Sequence, residues 1–346
     1  MTIPAFRVER PRAVEDAVRA LATHGPQAMI IAGGTDVIPN LQMRLFAPRV
    51  VVDIKGIRAL RGIEFSSETG LRIGALTTLT EIVESALIRE KFPVLWSAVG
   101  TIAGPLQRNM GTIGGNLCLE TRCLWYNQSY FWRKSLGGCL KHPMPNADAA
   151  HPETICHVAP GGDRCWAVWS GDSAPALLAL DAEVEMATAA GTRRIPLHDL
   201  YRNDGMNRLA LGRDELLTAV HVPALMAGRR GLYKKLRIRN SIDYPLAGVA
   251  VAMNVDRDGI CRDARVAIAA VNPAPLVVAE ASEWLVGQKY SLELVGRVAH
   301  RATQVGKPLT TSASTPVYRR EMLKVFTRRA LEEAWRSREG GRASGE

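Results

Sequence analysis

The chain has 346 residues, 47% of them apolar, with a formal net charge of +10 and six cysteines; this fits an ordinary globular protein of two or three domains with a sizeable core. No apolar run is long enough to cross a bilayer, and Met1 to Arg7 lack the regions of a secretory signal, which places the chain in the cytoplasm. The basic runs Lys234-Lys235-Leu236-Arg237-Ile238-Arg239 and Arg319, Arg320, Lys324, Arg328, Arg329 fit no nucleic-acid module and read as a solvated helix face or a face for an acidic partner subunit.

Apolar spacing predicts a helix over Ala13–His24, with Val14, Ala17, Val18, Leu21 and Ala22 on one face. Gly25-Pro26 ends it. A strand over Ala28–Ala32 leads into Gly33-Gly34-Thr35-Asp36 and a helix over Val37–Leu45. Strand, two glycines, hydroxyl and helix start make a plausible phosphate cradle. A bare Gly-Gly turn is more often only a turn, and neither the Walker A pattern nor G-x-G-x-x-G is present. Strands follow at Val50–Ile54 and Leu71–Leu76, then helices over Leu79–Ser85, capped by Thr77 or Thr78, and over Phe92–Ile102, stopped by Gly104-Pro105. A second glycine turn, Gly111-Thr112-Ile113-Gly114-Gly115-Asn116, comes next. Two such turns in one domain point to a shared ligand without identifying it.

Past Asn116 the composition changes. Aromatic residues crowd together at Trp125, Tyr126, Tyr130, Phe131 and Trp132, and Lys141–Ile155 reads as a loop. The segment behaves as an insertion in a strand–helix rhythm that resumes at Ala167–Trp169. A helix over Ala174–Leu180, a hairpin of Ala182–Ala189 and Thr192–Pro196, a short helix near Leu197–Tyr201 and a strand over Glu215–Val222 follow. Ala224–Arg230 reads as a linker. Strands at Gly231–Arg239, Ala247–Val255 and Asp263–Val271 precede helices over Val278–Val286, Ser291–Val305 and Thr315–Arg336, the last with Thr315 as cap and Pro316 at the first helical position. The polar tail from residue 337 is expected to fray.

Cys123, Cys139, Cys156 and Cys165 are separated by fifteen, sixteen and eight residues. In the cytosol such a set suggests a metal or cluster rather than disulfides. Four thiolates can complete an iron–sulfur cubane, hold zinc, or be free core residues; the spacing alone does not choose, and the aromatic surroundings tilt toward a shielded cluster. His142, His151 and His157 read as solvent-facing loop residues. Cys118, directly after the glycine turn, reads as a packing residue, and Cys261 as structural. No Ser/His/Asp or Cys/His nucleophile set and no acid–base pair stands out, so no catalytic residue is assigned.

Ile30-Ile31-Ala32-Gly33-Gly34-Thr35-Asp36 and Thr112-Ile113-Gly114-Gly115-Asn116 resemble the two flavin-contacting motifs of the medium, FAD-binding subunit of molybdenum hydroxylases, the family of xanthine dehydrogenase and aerobic carbon monoxide dehydrogenase. Tyr233-Lys234-Lys235-Leu236-Arg237 and Asp243-Tyr244-Pro245-Leu246-Ala247 resemble the start of its C-terminal flavoprotein domain, so that the likeness runs from about Ala5 to Ala334. Within the family, Leu117 to Cys123, Gly137-Gly138-Cys139, Cys156-His157-Val158 and Cys165-Trp166-Ala167 resemble the beta subunits of 4-hydroxybenzoyl-CoA reductases, whose extra segment binds a [4Fe–4S] cluster. The resemblance implies Cys123, Cys139, Cys156 and Cys165 as cluster ligands. It also implies Ile30, Ile31, Ala32, Gly33, Gly34, Thr35, Asp36, Val37, Thr101, Gly111, Thr112, Ile113, Gly114, Gly115, Asn116 and Asp172 around FAD, with Lys235 as a further candidate. The loop before Cys156 is longer here than in those subunits, which keeps His142 and His151 as outside ligand candidates. The implied fold is α+β: a two-subdomain FAD-binding domain (about 1–57 and 58–223, with the insertion at about 117–168) and a C-terminal antiparallel sheet with helices (231–336). The implied partners are a large molybdopterin-binding subunit, a small subunit with two [2Fe–2S] clusters, and ferredoxin as electron donor. An oxidising molybdenum hydroxylase subunit and a zinc-stabilised scaffold without redox work are the alternatives.

Overall fold

The computed structural model describes residues 3–144 and 155–337. Near the N-terminus, Arg7–Glu9 and Ala28–Ile31 flank Val50–Asp53 in a three-stranded parallel sheet. The parallel arrangement needs a crossover, and the helix Val14–His24 is the one that joins the two outer strands. Its buried Ala17, Val18 and Leu21 meet Val50, Val52 and Ile54, as the 3.6-residue period requires.

The second sheet is antiparallel, in the order Ile63–Ser66, Gly70–Gly74, Leu216–Val222, Glu183–Thr188, Gly191–Pro196. Gly70–Gly74 pairs with a strand more than a hundred residues further along, and the chain from 75 to 182, before the strand Glu183–Thr188 rejoins the sheet, forms one excursion from it. That excursion carries the second glycine turn and the cysteine segment. The helix Ser173–Ala179 returns the chain and is buried along its whole length.

The third sheet, Arg230–Leu236, Ala247–Val255, Cys261–Ala269 and Leu276–Val277, is also antiparallel. Its two faces differ in residue size for a packing reason. Ala250, Ala252, Ala267 and Ala269 face the core that contains helix Ser173–Ala179. Val249, Val251, Met253, Val266 and Ile268 face the helices Leu292–Val305 and Pro316–Arg336 behind. Alternation along each strand separates the two sets, and the small side chains let the buried helix lie close. Both parts of the chain thus share one core. Ser291 and Thr315 cap the two long helices through Leu294 and Tyr318 N–H, with Pro316 at the first helical position.

Several expectations need correction. The helix expected over Phe92–Ile102 is Pro93–Gly100, begun by Pro93 after a separate helix Ala86–Lys91; it stops before Gly104-Pro105 as expected, and Pro105 then begins a further short helix, Pro105–Arg108, that was not expected. Proline lacks only an N–H that a first-turn residue does not use. The helix after the first glycine turn ends at Gln42, with Arg44 at φ 54°. Strands Arg7–Glu9 and Ile63–Ser66 and the Ser129-capped helix Tyr130–Ser135 were not expected. The expected linker holds a tight turn, Ala224–Met226, with Met226 buried. The basic runs are not simply solvated: Arg319 is fully buried, its guanidinium donating to the carbonyls of Leu246, Leu309 and Ala270, and the Lys235 side chain is 1% exposed. His151 and the tail from 338 lie outside the described residues. No helix among the described residues is long and apolar enough to cross a membrane.

Candidate functional site

The two glycine turns lie against one another. A Cβ on Gly33 would stand 1.8 Å from the carbonyl oxygen of Met110, so only glycine permits this approach. Gly34 has φ +76°, a left-handed conformation that a side chain would strain. A Cβ on Gly114 would meet Ala75 at 2.8 Å, which seats the helix Ile113–Leu117 on the end of strand Gly70–Gly74. Thr112 caps that helix through its hydroxyl, which accepts from Gly115 N–H. Asn116 Oδ1 accepts from the Ser173 hydroxyl at 2.6 Å and so ties this turn to the buried helix.

Between the turns lies a cavity of about 620 Å³. Of Ile30 to Val37 all but Ile31 line it, and of Gly111 to Asn116 all but Ile113. Ile31 packs behind Gly34, and Ile113 is in the main core. Asp172 lines the far wall. Its carboxylate accepts from Tyr233 Oη at 2.7 Å and from Lys235 Nζ at 2.9 Å. Burial pushes Asp172 above the ordinary carboxylate range, with Lys235 and Tyr233 acting against it. Thr101 and Lys235 stand outside the cavity wall: Lys235 also donates to the carbonyls of Thr101 and Asp243, each at 3.0 Å. They act by holding Asp172 and the segment after strand Arg230–Leu236, whose Ile242, Asp243 and Tyr244 close the cavity.

Other residues at the site were missed. Asn40 is 1% exposed, lines the cavity and leaves Oδ1 unpaired, as a buried acceptor waiting on a polar ligand does. Arg122 pairs with Asp36 and hydrogen-bonds Tyr244, over whose ring its guanidinium lies at 4.3 Å. One side chain thereby joins the first glycine turn, the inserted segment and the C-terminal sheet. Its place directly before Cys123 was the available signal. Glu120 also lines the cavity; its carboxylate is buried, pairs with Lys141 and lies 3.6 Å from Arg208 Nη1. Cys118, on the cavity wall, has its thiol pushed up to about 11 by burial.

The four inserted cysteines are all buried. Cys123 and Cys165 share an apolar cluster with Leu45, Tyr126 and Ala167. Burial raises the Cys123 thiol to about 12, with Cys165 and Cys139 adding to the rise and the nearby backbone of Trp125 and Tyr126 acting against it. Cys165 stands at about 11, raised by burial and by Cys139 and Cys156; Ala167 N–H donates to its sulfur at 3.4 Å. A Cβ on Gly205 would lie 2.7 Å from Cys165 Sγ, so glycine leaves room beside that thiol. No group of three or more His, Cys, Asp or Glu side chains among the described residues is drawn to metal-ligating distance. The histidines correct their reading as solvent-facing: His142 is half-buried at the edge of the Tyr126 ring, and His157 stacks on Trp125 at 4.7 Å.

A cavity floored by two glycine turns, walled by Asp172, which buried Tyr233 and Lys235 hold from behind, and closed by the loop between the first two strands of the C-terminal sheet defines a subunit built to hold one large polar cofactor. Residues 4–225 match the family model described as the FAD binding domain in molybdopterin dehydrogenase, and residues 231–334 match the CO dehydrogenase flavoprotein C-terminal domain. The chain belongs to this family, as an FAD-binding medium subunit of the molybdenum hydroxylase type. It is 30% identical to the carbon monoxide dehydrogenase medium chain of Afipia carboxidovorans, over 95% of this chain and 96% of that one. It is 29% identical to subunit alpha of the 6-hydroxypseudooxynicotine dehydrogenase complex of Paenarthrobacter nicotinovorans, over 96% of each. The solved structure of reconstituted CO dehydrogenase from Oligotropha carboxidovorans superposes with a TM-score of 0.78 at 27% identity, covering 97% of this chain and 99% of that one.

Proposed function

We propose that the chain is the electron-transfer subunit of a molybdenum enzyme, carrying FAD in the glycine-turn cavity and a [4Fe–4S] cluster on Cys123, Cys139, Cys156 and Cys165, in an enzyme of the 4-hydroxybenzoyl-CoA reductase kind. The observation that carries it is proximity along the chain. Glu120 lines the cavity and Cys123 follows three residues later, so their Cα atoms are at most roughly 11 Å apart. The cavity residues fit FAD, and the cluster reading rests on four buried cysteines that are not drawn to metal-ligating distance among the described residues. Asn40 offers an unpaired acceptor to a ligand in the cavity, and the glycines there leave space that a side chain would fill. The Ala167 N–H, which donates to Cys165 Sγ at 3.4 Å, favours the thiolate form that ligates iron. FAD supplies one- or two-electron exchange when bound, and a [4Fe–4S] cluster supplies single electrons. The chain's own part is to hold both groups, exclude water from them, and fix Asp172 with Lys235 and Tyr233.

On this reading a large molybdopterin-binding subunit carries out the substrate chemistry, a small subunit with two [2Fe–2S] clusters connects to it, ferredoxin is the donor, and the complex works in the cytoplasm. The domain boundaries proposed are 1–223 and 231–336. The names of the relatives favour a second reading, a dehydrogenase that oxidises another substrate and retains the cysteine segment. The zinc scaffold is set aside, because membership of the family gives the chain an FAD role.

The test is metal and flavin content of the anaerobically purified chain, followed by turnover of the assembled complex. About four irons and one FAD per chain are expected. Zinc in place of iron would overturn the cluster. Formation of benzoyl-CoA with a low-potential donor supports the reductase; substrate oxidation alone supports the second reading.

A further inference from the structure

Among the described residues, the cavity wall holds four carboxylates, Asp36, Glu120, Asp172 and Asp243, and one cationic side chain, Arg208. The cations that answer the carboxylates stand behind the wall. Arg122 pairs with Asp36. Lys235 pairs with Asp172 at 2.9 Å and lies 4.0 Å from Asp243, so one lysine serves two acids. At Glu120 the ratio is reversed. Lys141, with a side chain 7% exposed, already pairs with Glu120 Oε1, and Arg208 Nη1 stands 3.6 Å from Oε2 of the same carboxylate. Two cations beside one carboxylate leave a positive charge in surplus at the cavity wall.

Arg208 is held in place without using up that charge. Its Nε and Nη2 donate to the carbonyls of Leu119 and Cys118, each at 3.1 Å. Its backbone is pinned as well: Arg202 N–H donates to Arg208 O at 3.0 Å, and Ala210 N–H to Leu200 O at 2.8 Å. Nη1 faces Glu120 beyond hydrogen-bond length, and the side chain stays 27% exposed. A guanidinium fixed through two of its nitrogens, with the third lacking an acceptor at bonding distance, is already oriented for an anion, and its planar fork suits phosphate oxygens. We propose that Arg208 binds the diphosphate of FAD, donating through Nη1 to a phosphate oxygen and offsetting the repulsion of the carboxylates around it. The diphosphate is the part of oxidised FAD that carries charge at neutral pH, so it is the complement of a surplus cation. The proposal rests on the reading of the cavity as the FAD site and involves no metal.

The experiment titrates the full chain, freed of FAD, with FAD by flavin fluorescence, and then uses ADP and adenosine as competitors. Wild type should bind FAD and favour ADP over adenosine. Arg208→Met should weaken FAD binding by about tenfold or more, the usual worth of a hydrogen bond to a charged group, and should cut the preference for ADP. Arg208→Lys, which keeps the charge and loses the fork, should lose less. Unchanged FAD affinity in Arg208→Met overturns the proposal. So does an equal loss of ADP and adenosine binding, which would leave the arginine with its two carbonyl contacts alone. A shifted flavin potential at unchanged affinity also overturns it, by turning the guanidinium toward the ring. Should Arg208→Met fail to fold, phenylglyoxal labelling of the wild-type chain decides. The peptide that carries Arg208 should be labelled without ligand and protected by ADP but not by adenosine; any other pattern overturns the proposal. A wild-type chain that takes up no FAD removes the reading of the cavity itself.

Discussion

Replacing Gly33 by alanine probes the contact on which the cavity depends. The added Cβ would lie 1.8 Å from Met110 O and 2.5 Å from Met110 C, where real Cβ atoms essentially never come closer than 3.0 Å. Both obstructing atoms are backbone, so no side-chain rotation relieves the overlap; the Gly33–Asp36 turn and the Gly111 turn must separate by more than 1 Å. Overpacking of this kind costs about 1–3 kcal/mol, and the rigid partner puts Gly33→Ala at the upper end, about 3 kcal/mol. Because both turns line the cavity, FAD affinity falls with it. Two further glycines calibrate the result. Gly34→Ala meets only side-chain atoms at 3.3 and 3.4 Å and bears the strain of φ +76°, about 1–2 kcal/mol. Gly100→Ala, with nothing within 4 Å at the end of helix Pro93–Gly100, should be neutral or stabilising by up to about 1 kcal/mol. Urea denaturation midpoints and FAD-to-protein ratios from absorbance measure all three. A Gly33→Ala protein with wild-type midpoint and full FAD would refute the reasoning.

Lys235→Met should destabilise the chain by about 3–5 kcal/mol, because it leaves Asp172 buried without its cation, and FAD retention should fall; a loss under about 1 kcal/mol in denaturation would count against that role. Arg319→Met removes the donor to three buried carbonyls and should cost about 3 kcal/mol or more, read as an earlier thermal transition with circular dichroism. Glu215 accepts two bonds from Arg193, at 2.7 and 2.8 Å, and one from Gly212 N–H, and the arginine holds its pKa below the ordinary 4.5. The folded chain then takes up this proton less readily than the unfolded chain, so the stabilisation is complete above pH 4.5 and disappears as pH falls through the lowered value. Glu215→Gln should therefore flatten the acid limb of a stability–pH curve while losing about 1 kcal/mol or less at neutral pH; an unchanged acid limb would show that the pair contributes nothing.

Much of the cavity was readable because its parts are local. A glycine turn between strand and helix is written in consecutive residues, and the two turns supply most of the lining. The Asp172 wall was reached only through resemblance, since Tyr233 and Lys235 lie 61 and 63 residues away from it in the chain. Arg122, Tyr244 and Asn40 were missed for the same reason: their roles come from partners that no spacing rule brings together. Burial of Arg319 and Lys235 was hidden because a basic run looks the same whether its side chains meet water or backbone carbonyls. The short strand Arg7–Glu9 carries too few residues to show a period and exists by pairing with Val50–Asp53. The cysteine spacing could suggest a common centre, but which ligand geometry the thiols adopt depends on torsions that sequence does not record.

The guanidinium of Arg122 touches Asp36 on one side and Tyr244 on the other, one position away from Cys123. In a chain loaded as proposed, the flavin chamber and the inorganic centre then share a latch. Oxygen damage that strips iron would slacken the segment holding that latch, and the lid over the flavin with it. Bleaching of the cluster and leakage of yellow cofactor should accordingly proceed together in air.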